Sequence, residues 1–527
     1  MYKSIVLAGV LFSTLAFSQQ IATGYVFEDS NHNKKKESKE KGLAQVAVSN
    51  GEDIVLTDQN GKYSLPVKDG QSIFVIKPSG YKTAFSENNL PEFYYHYRPE
   101  GSPENFKYKG IAPTGKLPKE INFGLTPQSE NKNFSILVFG DPQPYNEKEL
   151  DYFRRGIVEE VKKNKKNAVL GISLGDIVGD DLNLQPKYSK IMKEIGLPWY
   201  NVMGNHDMNL DAKEDHLSDE TFEANFGPAN YSFNYGNVHF IVLDDILYPD
   251  PRGGKSYWGG FREDQLKFVE NDLKLVDKNK LIVISYHIPL FLGGENHFRK
   301  EDRERLFQAL KPFENALLLS AHTHVQQQLF YGKKAGWDGL KPLHEYNVGT
   351  TSGDWYSGTP DATGVPASTM RDGTYRGYSF IHFKDNQYSV DYKVAGKSED
   401  FQIQIHVPKV IPFQSKNSAR IFANFFMGSK GDKVEYRIDN GEWKDMKFTE
   451  TIDPNFAISV FQWDTTNQLM EGRRPSNPDI SQHLWMTAFP KKLSLGKHQV
   501  EVRATDRYGK TFTSSAEFKV ENAISIP

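Results

Sequence analysis

Four apolar runs between Phe134 and His324 stop abruptly at residues able to do chemistry. "FSILVFGDPQ" ends on Asp141 and Gln143, "AVLGISLGD" on Asp176, "LIVISYH" on His287 and "ALLLSAHTH" on His322 and His324. Continuous aliphatic runs of this length suit strands buried on both faces of a sheet. Between them, "EKELDYFRRGIVEEVKKN" and "DRERLFQALKPF" carry apolar residues at helical spacing. This alternation predicts an α/β core in which functional groups gather at the C-terminal ends of the strands. The stretch "VMGNHD" adds Asn205, His206 and Asp207 in the same manner. An aspartate after a strand is commonly a turn residue, and a single histidine is commonly structural. The ordered set carries more weight than any member.

That order, Asp-x-Gln, Gly-Asp, Gly-Asn-His-Asp, His and Ala-His-x-His, resembles the calcineurin-like metallophosphoesterases over about half the chain. The resemblance implies a metallo-dependent phosphatase fold, two packed sheets flanked by helices, with loops at one edge holding two divalent ions. It assigns Asp141, Asp176 and His324 to the first ion, and Asp176, Asn205, His287 and His322 to the second, with Asp176 shared. Gln143 stands where many members have His. Its neutral carbonyl oxygen, harder than imidazole, tilts the site toward oxygen-preferring ions such as Mn²⁺ or Mg²⁺; among Mn²⁺, Fe, Zn²⁺ and Mg²⁺, Mn²⁺ is favoured. Gly179 stands where purple acid phosphatases have tyrosine, so their coloured centre is not expected. The implied reaction is hydrolysis of a phosphomonoester or phosphodiester by a hydroxide shared between the ions, roughly 3.5–4 Å apart. His206 is implied as general acid, oriented by Asp207. Alternatives are cleavage of a diphosphate bond, as in nucleotide sugars or nucleotide alcohols, and a non-catalytic surface binding protein on the same scaffold.

The expected substrate is a phosphorylated small molecule or glycan. Glycine- and aromatic-rich loops, "NVGTTSGDWYSG" and "MRDGTYRGYSF", offer Asp354, Trp355, Tyr356, Arg371 and Arg376 as substrate contacts. Arg473 and Arg474 in "EGRRPSNPDISQHLW" are further candidates for a phosphate.

With 527 residues, several domains are expected, and the texture divides the chain. Residues 19–126 read as an N-terminal sandwich of short strands with Asn-Gly turns, resembling transthyretin-like B-type repeats. There Asp29, Asn31 and Asn33 can offer oxygens to Ca²⁺ or simply form a solvated loop. The phosphoesterase domain is expected over 133–396. Helical signals fade beyond Ser398, and 398–523 reads as an immunoglobulin- or fibronectin-like sandwich. The fold class is thus multidomain, a central α/β unit between two all-β sandwiches. Residues 1–18, "MYKSIVLAGVLFSTLAFS", have the basic start, apolar centre and small residues of a secretory signal. The reading is an extracytoplasmic protein, periplasmic or secreted, without a membrane span. The absence of cysteine excludes disulfides and a lipidated N-terminal cysteine. A net charge of −3 gives no electrostatic reason for a nucleic-acid partner.

Overall fold

The computed structural model describes residues 20–291, 296–414 and 417–523. The expected signal segment lies outside the described residues.

Two sheets form the central unit. In the first, Trp199–Val202, Ala168–Leu174 and Asn133–Phe139 run parallel, and Gly377–Lys384 and Gln387–Val394 complete it antiparallel. The second runs in the order Tyr231–Tyr235, Val238–Val242, Leu281–Ser285, Ala316–Ser320, Leu343–Asn347 and Gln327–Tyr331, with antiparallel pairs at both edges. The aliphatic runs occupy the parallel centres. Val238–Val242 and Leu281–Ser285 are buried at every position, which is why they lack polar alternation. The sheets meet through Phe240 and Phe383, in edge contact at 5.8 Å, and through a 2.8 Å hydrogen bond between the Tyr346 and Ser379 hydroxyls. They are joined at one end where Gly140 pairs with Thr350 and the Thr351 amide donates to the Gly140 carbonyl.

The helices cover the outer faces. The stretch 147–163 begins at Asn146, whose side chain accepts from the Glu149 amide, and buries Leu150, Phe153, Ile157 and Val161. Helices Glu263–Leu275 and Lys300–Leu310 bury Leu266, Phe268, Val269 and Leu273 from one and Leu306, Phe307 and Leu310 from the other. These spacings follow the 3.6-residue turn.

Both flanking regions are strand-rich. The N-terminal region pairs Lys62–Val67, Gln20–Glu28, Phe123–Pro127 and Tyr81–Lys82 in one sheet, and Ile54–Leu56, Ala47–Ser49, Ser72–Val75 and Tyr94–His96 in another. The oxygens expected to offer themselves to Ca²⁺ also accept backbone amides. Asp29 accepts from the Asn33 and Lys34 amides, Asn31 Oδ1 from the Asn33 amide, and Asn33 Oδ1 from the Lys35 amide. The loop is an array of side-chain turns closed on its own backbone.

The C-terminal region has sheets of four and five strands. Its long insertion corrects the expectation that helix ends at Ser398: Pro454–Thr465 is helical. The local signal is Asp453, whose side chain accepts from the Phe456 amide, followed by Pro at the first helical position. The helix buries little beyond Phe456 and Val460, so no strong apolar stripe announces it.

A buried ion network ties the N-terminal region to the catalytic unit. Arg98 contacts Glu220 at 2.7 Å and Glu223 at 2.9 Å, and its side chain is 6% exposed. Removing one member of such a group leaves charge buried without a partner, which costs about 3–5 kcal/mol. Arg98→Met should therefore lower the urea midpoint strongly. A midpoint within error of the parent would show the network to be energetically neutral.

Candidate metal centre

Each expected ligand lies just beyond a central strand. Asp141 and Gln143 follow Asn133–Phe139, Asp176 follows Ala168–Leu174, and Asn205 follows Trp199–Val202. His287 follows Leu281–Ser285, and His322 and His324 follow Ala316–Ser320. The chain turns sharply there, and Asp141, Gln143, Asp176, His322 and His324 have φ of 36°, 39°, 46°, 70° and 51°. A side chain in this left-handed region costs about 1–2 kcal/mol, so the surroundings must hold it. The Gln143 amide donates to the Asp176 carbonyl at 2.9 Å, and the His322 amide donates to Asp141 Oδ2 at 3.0 Å. Two motif glycines are needed for space. A methyl at Gly204 would lie 2.0 Å from the Asp176 nitrogen, and one at Gly175 would lie 2.4 Å from His287 Nδ1.

The donor atoms converge. One ligand atom each from Asp176, His287 and His322 lies within 4.8 Å of the others. His287 Nδ1 donates to the Leu174 carbonyl at 2.8 Å, which leaves Nε2 facing Asp176 Oδ2 at 3.3 Å, Asn205 Oδ1 at 3.2 Å and His322 Nδ1 at 3.1 Å. His324 Nδ1 is likewise committed to the Gly353 carbonyl at 2.6 Å, and its Nε2 stands 3.7 Å from Asp141 Oδ1.

Two buried atoms identify the kind of guest. His324 Nε2 and Gln143 Oε1 have no hydrogen-bond partner, although Gln143 Nε2 is held by the Tyr145 hydroxyl at 3.3 Å. A buried lone pair without a donor is costly unless a cation takes it. Together with two carboxylates, the amide oxygen of Asn205 and two further imidazoles, this donor set fits divalent metal.

Electrostatics point the same way. Burial pushes the Asp141 carboxyl up to about 8, and burial pulls His322 down to about 3 and His324 to about 4, leaving neutral imidazoles. Burial also disfavours charge on His287, but Asp176 and Asp141 outweigh it and raise that imidazole to about 10. Two of the imidazoles are thus neutral, each with a lone pair, while the carboxylates draw positive charge onto the third.

His206 differs from the ligands. Its side chain is 26% exposed, whereas those of His287 and His324 are 0% and 1% exposed. Its amide donates to Asp176 Oδ1 at 2.9 Å, and its Nδ1 pairs with Asp180 Oδ1 at 2.7 Å. Burial lowers its pKa, but Asp176 and Asp180 overcome this and hold it up at about 9. Asp180, not Asp207, therefore orients the ring. The Asp207 carboxylate is occupied by the Ile177, Val178 and Gly204 amides, so it fixes the turns at Asp176 and Asn205 to each other.

The loop residues expected to meet substrate mostly support the centre instead. Asp354 is fully buried, and its Oδ2 accepts from Ser357 Oγ at 2.6 Å and the Ser476 amide at 2.7 Å. Tyr356 is buried and donates its hydroxyl to the Pro142 carbonyl. Arg376 is buried beside Gly156, where a methyl would meet its guanidinium at 2.3 Å. Arg371 donates to the Thr323 carbonyl at 2.7 Å. Trp355 stacks on His324, with centroids 4.0 Å apart.

Three residues escaped the sequence reading. Tyr145 sits edge-on to His206 at 5.8 Å, over Gly179, where a methyl would strike its ring at 2.6 Å. Tyr257 sits edge-on to His322 at 6.2 Å. With Trp355, each aromatic covers one histidine. Asp180 is the third, and its signal was the doubled acid of "VGDD".

Comparison with known proteins agrees with this geometry. The family model for calcineurin-like phosphoesterase matches 134–326, and those for its N-terminal and C-terminal parts match 30–111 and 345–512. A probable glycerophosphodiester phosphodiesterase GpdQ from Arcobacter nitrofigilis is 26% identical over 207 residues, 38% of this chain and 73% of the relative. Purple acid phosphatase 21 from Arabidopsis thaliana is 20% identical over 265 residues, 46% of this chain and 53% of the relative. Among solved structures, purple acid phosphatase PPD1 from yellow lupin seeds overlays with a TM-score of 0.35 at 13% identity, covering 67% of each chain. The ordered ligands at the strand ends and the three family matches together make this chain a calcineurin-like phosphoesterase.

Proposed function

We propose that this metal-dependent phosphoester hydrolase works with two divalent ions, Mn²⁺ preferred, and uses His206 as the general acid for the departing oxygen. The observation that carries the reading is the pair of buried lone pairs on Gln143 Oε1 and His324 Nε2 beside the Asp176, His287 and His322 cluster. Asp141, Gln143, Asp176 and His324 would hold one ion, and Asp176, Asn205, His287 and His322 the other. When bound, the ions supply Lewis-acid charge for the phosphoryl oxygens and lower the pKa of water at the site. Buried Asp176 lies between the donor groups, with Oδ1 fixed by the His206 amide and Oδ2 turned to His287. His206 Nδ1 is tied to Asp180, which leaves Nε2 as the nitrogen able to pass a proton to an arriving ester. Tyr145 packs edge-on to His206 and Trp355 lies flat on His324, while the His206 side chain keeps 26% exposure.

Two relatives' names span the remaining choice of ester, a phosphodiesterase and an acid phosphatase. A panel of phosphomonoesters, diesters and diphosphates assayed with Mn²⁺-loaded protein decides it. Bound Mn²⁺ should approach about two ions per chain and fall sharply in Asp176→Asn. Saturation near one ion in the parent protein removes the dinuclear reading.

His206→Ala should lose roughly 10²–10⁴-fold in kcat on alkyl phosphates, about 3–5 kcal/mol of barrier. Nitrophenyl phosphates, whose leaving group needs no proton, should lose far less, and the metal content should remain. Asp180→Asn should lose activity with the same preference, whereas Asp207→Asn should lower the melting temperature without that preference. Equal losses on both substrates by His206→Ala, with metals retained, reassign His206 to phosphoryl binding.

A further inference from the structure

The C-terminal domain reaches back to the metal centre through the insertion that follows its exposed helix. Gly472 passes so close to the loop after Trp355 that a methyl there would meet the Gly358 carbonyl oxygen at 2.2 Å. The Gly358 amide donates to the Arg473 carbonyl at 2.7 Å, and the two residues form a bridge between the segments. Arg473 Nη2 donates to the carbonyls of Asp354 at 3.1 Å and Trp355 at 2.5 Å. Three residues on, the Ser476 amide holds the Asp354 carboxylate. Trp355 itself has φ of 49° and lies flat on His324, while the preceding Gly353 carbonyl accepts from His324 Nδ1.

A second line of contacts reaches the same turn from its other side. The Asp479 amide donates to the Arg371 carbonyl at 2.9 Å, and its carboxylate stands 3.6 Å from Arg371 Nη1. Arg371 Nη2 then donates to the carbonyl of Thr323, the residue between His322 and His324. Both histidines occupy the left-handed region, a conformation that persists only where neighbours enforce it.

We infer that residues 472–479 of the C-terminal domain are a brace that holds His324 in its metal-binding pose, with Arg473 as the positioning residue. The brace deepens the dinuclear reading and rests on it. Arg473 touches neither donor nor reacting atom; it acts through the backbone of 354–355 and the ring of Trp355. His287 and Asp176 take no contact from the brace, being fixed by Leu174 and the His206 amide. The two halves of the centre therefore depend unequally on the C-terminal domain. The Arg473 line ends on His324 alone, while the Asp479–Arg371 line ends on Thr323 between the two histidines.

The test is metal binding to the full-length apoprotein, followed by calorimetry with Mn²⁺ and by Co²⁺ absorption. The parent should bind in two steps. Arg473→Ala should weaken one step roughly 10–100-fold, the range for partners that orient a ligand, and leave the other step unchanged. Arg473→Lys, which can still donate to the same carbonyls, should recover most of the loss. Trp355→Ala should weaken the same step and serves as the second probe should Arg473→Ala fail to fold by circular dichroism. Equal weakening of both steps in a folded variant, or no change in either, overturns the brace while leaving the dinuclear reading intact. A single step in the parent protein instead overturns the dinuclear reading and the brace with it.

Discussion

The centre depends on backbone held where side chains rarely go. Asp141, Gln143, Asp176, His322 and His324 share a left-handed conformation at the ends of central strands. This bends the chain out of the sheet within one residue and turns the next polar side chain back over the strand ends. Such turns persist because other groups over-determine them. Asp207 pins the Asp176 turn and the Asn205 turn together through three amides, and Asp141 accepts the amide of His322. Polar side chains inside and outside the candidate ligand set thus hold the backbone that carries it.

Both flanking domains are tied to the central unit. The central parallel strands Val238–Val242 and Leu281–Ser285 are buried at every position, and the N-terminal region adds to that core through Phe74 on Phe268 and Phe93 on Tyr231. The flanking domains' polar contacts reach helix Glu220–Phe226 on one side and the loops after the candidate ligands on the other. The N-terminal region grips Glu220 and Glu223 through Arg98, and the C-terminal region grips the loops after the last ligands through His483, which bridges Asp372 at 2.9 Å and Asn424 at 2.7 Å. Asp372 in turn accepts the amide of Gln326, two residues beyond His324.

What could be read from the sequence followed the strength of local pattern. Aliphatic strands ending in Asp, Asn or His announced both the α/β core and the residues that converge, since burial on two faces leaves a continuous apolar run. The roles of non-ligands were less legible. The adjacency of His206 and Asp207 suggested a working pair, but in a tight turn neighbouring side chains diverge, and the ring found Asp180 instead. Asp354, Tyr356 and Arg376 sit in loops whose composition suits a pocket wall, yet composition does not say which way a loop faces, and all three are buried. The helix Pro454–Thr465 was missed because its apolar residues Ile458 and Phe461 are exposed, so its pattern does not describe a buried stripe. Gln143 was legible in identity, whereas the lack of any protein partner for its oxygen needed coordinates.

The contact of His483 with Asp372 also has a consequence for the order of synthesis. All the donors lie between residues 141 and 324, while the strand that delivers His483, Ile480–Ala488, lies far downstream. A chain emerging from its N-terminus owns every donor long before it owns the residue that steadies Asp372 and, through it, the segment after His324. Possession of the ligands and their fixation are separated in time by more than a hundred residues of translation. A strand distant in sequence, which supplies no candidate donor, thus steadies the segment that follows His324.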